Sequence, residues 1–112
     1  MKPEAPGKLC VVRFDDTAIT RDRPEGPAER VTWDDLQEVI VQTTDAGLAF
    51  TDKSLILAGS KPDSRCVIPQ GSDGDSELLE RLQQLPGFSH DVLNAAMNSI
   101  SDGQFVCWRR PA

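Results

Sequence analysis

Apolar and polar residues alternate along the middle of the chain, a pattern typical of strands that bury one face. Val31 and Trp33 share one face of an extended run, and a second alternating run follows at 38–42. Between the two runs, Asp34 or Asp35 can cap a single turn. The pattern therefore predicts a sheet corner at Trp33, with the indole largely buried beneath it.

Further short apolar runs, bounded by Gly, Pro or Asp, also predict strands. They lie at 9–14, 17–20, 54–58, 65–68 and 104–108, with a short edge piece at 48–50 after a break at 45–47. Pro69 is expected to end one of these strands, because proline has no N–H to donate to a ladder.

The spacing of apolar residues becomes helical after Gln70, which predicts two short helices. Asp75 is expected to cap the first helix, and a Pro-Gly pair after Leu85 is expected to end it. Ser89 is expected to cap the second helix, flanked by Phe88 and Leu93 at the two positions of a hydrophobic staple.

This order of elements predicts an α+β fold with a strongly bent, mainly antiparallel sheet, two short C-terminal helices and a closing strand. Residues 1–7 are rich in proline and charge and are predicted to form a loose end. Residues 8–112 are predicted to form a single domain, since 112 residues are an ordinary length for one domain.

Several short motifs carry a resemblance to known proteins. They are V-T-W-D-D-L at 31–36, T-T-D-A-G at 43–47, V-I-P at 67–69 and L-P-G-F at 85–88. In combination they resemble a family of small bacterial proteins of uncharacterised function, over residues 27–108. The order of elements is also similar to the pleckstrin-homology-like (PH-like) half-barrel. The resemblance implies a fold, and it implies no catalytic residues.

The charge of the chain limits its partners. Lys and Arg number 12 against 18 Asp and Glu, which gives a net charge of −6 and a pI of about 4.6. Such a chain repels phosphate backbones and anionic lipid, so neither nucleic acid nor membrane is an expected partner. Its apolar runs are shorter than the roughly 18 residues that a membrane span needs.

The three cysteines, Cys10, Cys66 and Cys107, each lie inside an apolar run. We expect buried free thiols, because unpaired cysteine packs as a small hydrophobe and an odd number leaves at least one unpaired. No charged-then-apolar leader precedes the first predicted strand. Together these features predict a reduced, cytoplasmic protein.

The search for catalytic or metal-binding groups predicts neither an enzyme nor a cofactor. His90 is the one histidine, and it falls in the first turn of a predicted helix. The cysteine spacing lacks a zinc motif. The acidic residues at 73–80 lack the EF-hand arrangement and are expected to place negative charge at a helix N-terminus.

Two hypotheses follow for function. The first is a non-catalytic protein-interaction module that holds a protein partner at a sheet edge or in a groove between helix and sheet, in one version an immunity-type or inhibitor protein for a basic partner. An open edge at 9–14, 17–20 or 104–108 would also permit a homodimer. The candidate interaction residues are Trp108, Arg109, Arg110, Arg21 and Arg23.

The second hypothesis is a small-ligand-binding protein or an enzyme. Its pocket would lie near Trp33, and Asp34 or Asp35 would be the functional carboxylate. An apolar pocket that holds a buried carboxylate would favour it, since such an environment shifts a carboxyl pKa towards catalytic use.

Overall fold

The computed structural model of the protein describes residues 11–22, 27–47, 50–99 and 102–111. Within these ranges the chain forms seven strands and two helices. The strands are β1 (Val11–Phe14), β2 (Ala18–Asp22), β3 (Glu29–Thr32), β4 (Leu36–Gly47), β5 (Phe50–Gly59), β6 (Arg65–Pro69) and β7 (Gly103–Arg109). The helices are α1 (Asp75–Leu82) and α2 (His90–Asn98). The predicted α+β class, with two helices and a closing strand, is confirmed.

The strands form two antiparallel sheets, where the sequence predicts one strongly bent sheet. The first sheet has the order β1-β2-β3, and the second has the order β6-β5-β4-β7. The chain changes sheets at a turn over residues 33–35, so β3 and β4 belong to different ladders. After the helices, β7 returns to pair with β4, which places Trp108 opposite Val39.

The Glu29 side chain connects facing edges of the two sheets. Glu29 on β3 accepts a hydrogen bond from the backbone N–H of Val67 on β6, at 3.0 Å. The same carboxylate oxygen accepts from Nη1 of Arg21 on β2, at 2.9 Å. At these edges a hydrogen bond from the backbone to a side chain, and not a backbone ladder, joins β3 and β6.

The strands differ in extent from the predicted ones. β4 continues to Gly47 through the predicted break at 45–47, because its pairing with β5 absorbs the glycine in a register shift between Asp45 and Gly47. β5 then begins at Phe50, so the predicted edge piece at 48–50 is not a separate strand, and residues 48–49 lie outside the described residues. Pro69 ends β6 as predicted.

The core lies between the two sheets and under the helices. Leu57 and Cys66 of the second sheet are fully buried, and the Cys66 thiol lies 3.8 Å from the Ile19 carbonyl of the first sheet. The helices contribute Leu78, Leu82, Leu93 and Ala96 to the same cluster. Both helices thus cover the inner face of the second sheet, which leaves its other face to solvent-side residues such as Val106.

The helix ends show one wrong prediction and one that is confirmed. Gly74, not Asp75, is the N-cap of α1: it has a φ of 88°, and a Cβ there would overlap the Val12 carbonyl oxygen. The Asp75 carboxylate instead accepts from the Gly71 N–H at 2.8 Å. At α2, Ser89 Oγ accepts from the Val92 N–H at 3.2 Å, so this predicted cap is confirmed.

The hydrophobic residues around these ends explain where the helices stop. Phe88 and Leu93, the predicted staple pair, are both buried beside the start of α2. α1 ends at Leu82, before the predicted limit at Leu85, because its last turn tightens to a hydrogen bond from the Leu85 N–H to the Leu82 carbonyl.

Candidate interaction site

Trp33 lies at the corner between the two sheets and connects several elements. Its indole N–H donates to the Asp15 carbonyl at 2.6 Å, and its backbone N–H donates to the Thr17 carbonyl at 3.0 Å. The Arg81 guanidinium of α1 lies over its ring, 4.6 Å from the centroid. Trp33 is half-buried rather than largely buried, because one ring face meets this guanidinium instead of core side chains.

Trp108, the predicted interface anchor, lies in the core instead. Only 5% of its surface is exposed, and its indole N–H donates to the Pro86 carbonyl at 2.8 Å. A register shift between Val39 and Ile40 interrupts the alternation of β7, so Cys107 and Trp108 are both buried although Val106 is exposed, and Trp108 lies opposite Val39. An anchor of that kind must be accessible to a partner, so Trp108 is better explained as a core residue.

The predicted interaction arginines on the closing segment make intramolecular contacts. Arg110 donates from Nε to the Leu36 carbonyl at 2.7 Å and from Nη2 to the Trp33 carbonyl at 2.6 Å. Arg109 forms an ion pair with Glu38 at 2.9 Å, yet its side chain is 70% exposed. Arg109 is therefore the more available of the two for a partner.

The remaining predicted residues lie elsewhere. Arg21 is 13% exposed and pairs with Glu29 between the sheets, whereas Arg109 sits on the far strand of the second sheet. Arg23 lies outside the described residues. Arg21 and Arg109 are therefore parts of separate ion pairs rather than members of one basic patch.

Asp35 is held by two hydroxyl groups from the β5–β6 loop. Ser60 Oγ donates to one of its carboxylate oxygens, and Ser64 Oγ donates to the other at 2.5 Å. These hydrogen bonds lower the pKa of the Asp35 carboxyl below its usual value, and the one from Ser60 has the larger effect. A Cβ at Gly59 would overlap the Ser64 hydroxyl and the Asp35 carboxylate, so the loop closes tightly only with glycine there.

The concavity beside Asp35 fits the enzyme hypothesis poorly. It encloses about 330 Å³ and is lined by polar or charged residues only: Arg30, Thr32, Asp35, Lys61, Asp63 and Ser64. A general acid or base at neutral pH needs a raised carboxyl pKa, and that of Asp35 is lowered. Asp34 is exposed on the same turn. The arrangement is that of a structural clamp between the corner and the loop.

The outer edges of the sheets also make contacts. On β1, the Val12 N–H donates to the Asp73 carbonyl at 2.8 Å, and on β7 the Cys107 carbonyl accepts from the Ser89 N–H at 2.8 Å. The predicted edge at 17–20 is wrong, because β2 lies between β1 and β3. The two predicted edges that are edges in the structure, β1 and β7, are thus each partly covered by the connection to a helix.

An apolar groove lies between the helices and the second sheet. This helix–sheet groove has a volume of about 210 Å³. Its apolar lining consists of a floor from the sheet, Val41, Leu55 and Ile68, and of Leu79 and Met97 on the two helices at its sides. Polar side chains form its rim: Lys53, Ser54, Gln70, Asp75 and Ser76. Met97, at 39% exposure, leaves apolar surface open to solvent at this site.

The residues of this groove have only a weak signal in the sequence. Met97 belongs to the predicted apolar face of α2, together with Leu93 and Ala96, and the latter two are buried as that face requires. Met97 lies at the margin of the face, over the groove. Apolar spacing predicts which side of a helix faces the sheet, and it does not predict a gap between them.

Comparison with protein-family models, curated proteins and solved structures finds no match to this chain. Among the described residues, neither helix has the length and apolar composition needed to cross a membrane. No group of three or more His, Cys, Asp or Glu side chains in the described ranges is arranged to hold a metal ion. The function must therefore be argued from the geometry of the grooves and side chains.

Proposed function

We propose that this protein is a non-catalytic interaction module that binds a protein partner in the helix–sheet groove. The observation that carries the proposal is the size and lining of this groove. Ligand pockets commonly enclose about 300 to 1,000 Å³, whereas this groove encloses about 210 Å³ over an apolar floor. That volume suits one large apolar side chain of a partner better than a nucleotide or another cofactor.

The chemistry of the other polar sites agrees with this proposal. The Asp35 carboxylate is occupied by Ser60 and Ser64, and Arg110 is occupied by backbone carbonyls. These groups stabilise the corner between the sheets. The groove, by contrast, has an apolar floor with the half-exposed Met97 at its side, which is the usual character of a protein-binding surface.

The acidic charge supports an immunity-type or inhibitor role against a basic partner. The chain carries a net charge of −6. Complementary charge accelerates association and selects against acidic competitors. The dependence of the association rate on salt tests this version, because a rate that does not fall with added salt would contradict electrostatic attraction.

We extend the proposal to the fold family and the compartment. The Glu29 bridge between β3 and β6 supports a PH-like half-barrel, and the V-T-W-D-D-L residues form the corner that the alternating sequence pattern predicts. An experimental structure with these two edges far apart would remove the half-barrel. The buried Cys66 and Cys107 thiols support a cytoplasmic location, which cell fractionation tests.

Homodimerisation through a sheet edge has weaker support. Of the predicted edges, β1 and β7 each share a backbone hydrogen bond with a segment next to a helix, so less edge remains for a second copy. Light scattering coupled to size exclusion distinguishes the cases. A dimer mass at micromolar concentration would support homodimerisation through an edge. A mass that stays that of a monomer would exclude it at that concentration and would still allow binding to a different protein.

A matched pair of substitutions tests the proposed site. Met97→Arg places a charge over the groove, and Val106→Arg places the same charge on the outer face of the second sheet. The two residues are 39% and 37% exposed, so both variants should fold. Proteins captured by the wild type should be retained by Val106→Arg and lost by Met97→Arg. Retention by both variants would show that the groove is not the binding site.

A further inference from the structure

The helix–sheet groove carries charge as well as apolar surface, and the two together indicate what it binds. Asp75 and Ser76 of α1 form part of the rim, next to the apolar Leu79. Glu80 follows Ser76 by four residues, so it lies on the same side of the helix, one turn further along. The α1 wall of the groove is therefore acidic at two successive turns.

Positive charge at the groove is smaller. Lys53 on β5 is the one basic residue among those that line the groove. α2 contains no Lys or Arg, and its first turn contains Asp91. Within the lining, Asp75 offsets Lys53. Glu80, one turn beyond Ser76 on the same side of α1, adds negative charge beside the groove, in a chain whose net charge is −6.

We infer that the partner enters this groove with one large apolar side chain accompanied by a cationic group, such as a leucine or methionine beside a lysine or arginine. This inference rests on the proposed function and specifies the chemistry of the partner at the same site. The apolar side chain fills the floor of the groove, and the cation lies against Asp75 and the Glu80 side of α1. An apolar side chain next to a carboxylate would meet the same acidic wall and bind less tightly.

Three small probes of similar shape test this chemistry: 3-methylbutylammonium, 4-methylpentanoate and 3-methylbutan-1-ol. Each is titrated into the protein while the methyl signals of Leu55, Leu79 and Met97 are followed by NMR. We expect the ammonium to shift these signals and to bind roughly fivefold more tightly than the neutral alcohol and roughly thirtyfold more tightly than the carboxylate, because one net negative charge at about 4 Å in water attracts the cation and repels the anion by about 1 kcal/mol each. The alcohol should be intermediate, and added salt should reduce the difference.

Two substitutions assign the preference to named side chains. Asp75→Asn keeps an oxygen that can accept the Gly71 N–H, so α1 should keep its start while the preference for the ammonium falls to about equal binding. Lys53→Met removes the opposing charge and should widen the preference. An unchanged preference in Asp75→Asn would contradict the placement of the cation on α1.

Other outcomes overturn the inference, and they can be told apart from a failure of the proposed function. Equal or tighter binding of the carboxylate would show that Lys53 decides the charge preference. The proposed function would still stand if Met97→Arg, but not Val106→Arg, lost the captured partner. Absence of shifts at the groove methyls with any probe would overturn the inference, and partner capture would then decide the function separately.

Discussion

Replacement of Trp108 decides whether this residue is part of the core or an anchor for a partner. In the folded protein 5% of its surface is exposed, and its indole N–H donates to the Pro86 carbonyl at 2.8 Å. Trp108→Ala removes a large buried ring, which typically costs about 3 to 5 kcal/mol. Trp108→Phe keeps most of the ring and loses the hydrogen bond and some volume, so about 1 to 2 kcal/mol is expected.

Urea unfolding followed by far-ultraviolet circular dichroism measures these losses without relying on tryptophan fluorescence. In a domain of this size, the loss of 3 to 5 kcal/mol corresponds to a fall in Tm of at least roughly 12 °C. Val106→Ala is the matched control, since Val106 lies two residues earlier on β7 and is 37% exposed. This control should change the free energy of unfolding by less than about 1 kcal/mol.

The result that would refute the core assignment is equally specific. A loss below about 1 kcal/mol for Trp108→Ala would mean that the ring contributes little to the folded monomer, as expected of a surface anchor. The order of the three variants is a further test. The cavity and the lost hydrogen bond both predict that Trp108→Ala loses more stability than Trp108→Phe, and that Trp108→Phe loses more than Val106→Ala.

Three further predictions concern polar groups. Glu29→Ala should lower the free energy of unfolding in urea by about 1 to 3 kcal/mol, because the Glu29 carboxylate accepts from both Arg21 and the Val67 N–H. Glu38→Ala, which removes an ion pair with the exposed Arg109, should lower it by less than about 1 kcal/mol. Equal losses in the two variants would contradict the bridging role of Glu29. Because the pKa of Asp35 is lowered in the folded protein, its ionised carboxylate stabilises the fold at pH values above the unfolded pKa. The difference in free energy of unfolding between wild type and Asp35→Asn should therefore shrink as the pH falls below about 4. A difference that stays constant with pH would contradict this prediction. Burial raises the pKa of the Cys66 thiol to about 12 and raises that of Cys107 as well, so peptide mapping after alkylation at pH 8 should show both unlabelled until the protein unfolds.

Local patterns predict the elements of this fold better than they predict how the elements combine. Ser89 caps α2 as predicted, because a serine before an apolar helical run is a local signal. Asp75 is not the cap of α1, because Gly74 passes so close to the Val12 carbonyl that only glycine fits. The close contact between Gly74 and Val12 joins segments that are far apart in the sequence, so a local sequence pattern cannot predict it.

The division into two sheets is likewise a long-range outcome. Alternation at 38–42 predicts a strand, and these residues lie within β4. Whether β3 and β6 form a ladder depends on the direction of the chain after the corner at Trp33. It also depends on the Glu29 carboxylate, which accepts the Val67 N–H that a ladder would use. The period of a strand specifies which face is buried and does not specify its neighbour.

The candidate interaction residues show why exposure is difficult to predict from residue type. Aromatic and arginine side chains dominate interface hot spots, but they also satisfy buried polar groups within a fold. Trp108 and Arg110 use their N–H groups on the carbonyls of Pro86, Leu36 and Trp33. An aromatic or arginine side chain stays inside the fold when a nearby backbone carbonyl needs a hydrogen-bond donor. The tertiary fold decides whether such a carbonyl is present.

These contacts also explain how the helix–sheet groove keeps its shape. The Trp33 ring stacks with Arg81 of α1, while Arg110, directly after β7, donates to the Trp33 and Leu36 carbonyls. The corner therefore connects α1, one wall of the groove, to the strand that follows the helices. Because α1 has only eight residues, its position must come from such tertiary contacts rather than from its own helical propensity. Trp33, Arg81 and Arg110 thus help to fix α1, the wall against which the proposed partner would dock.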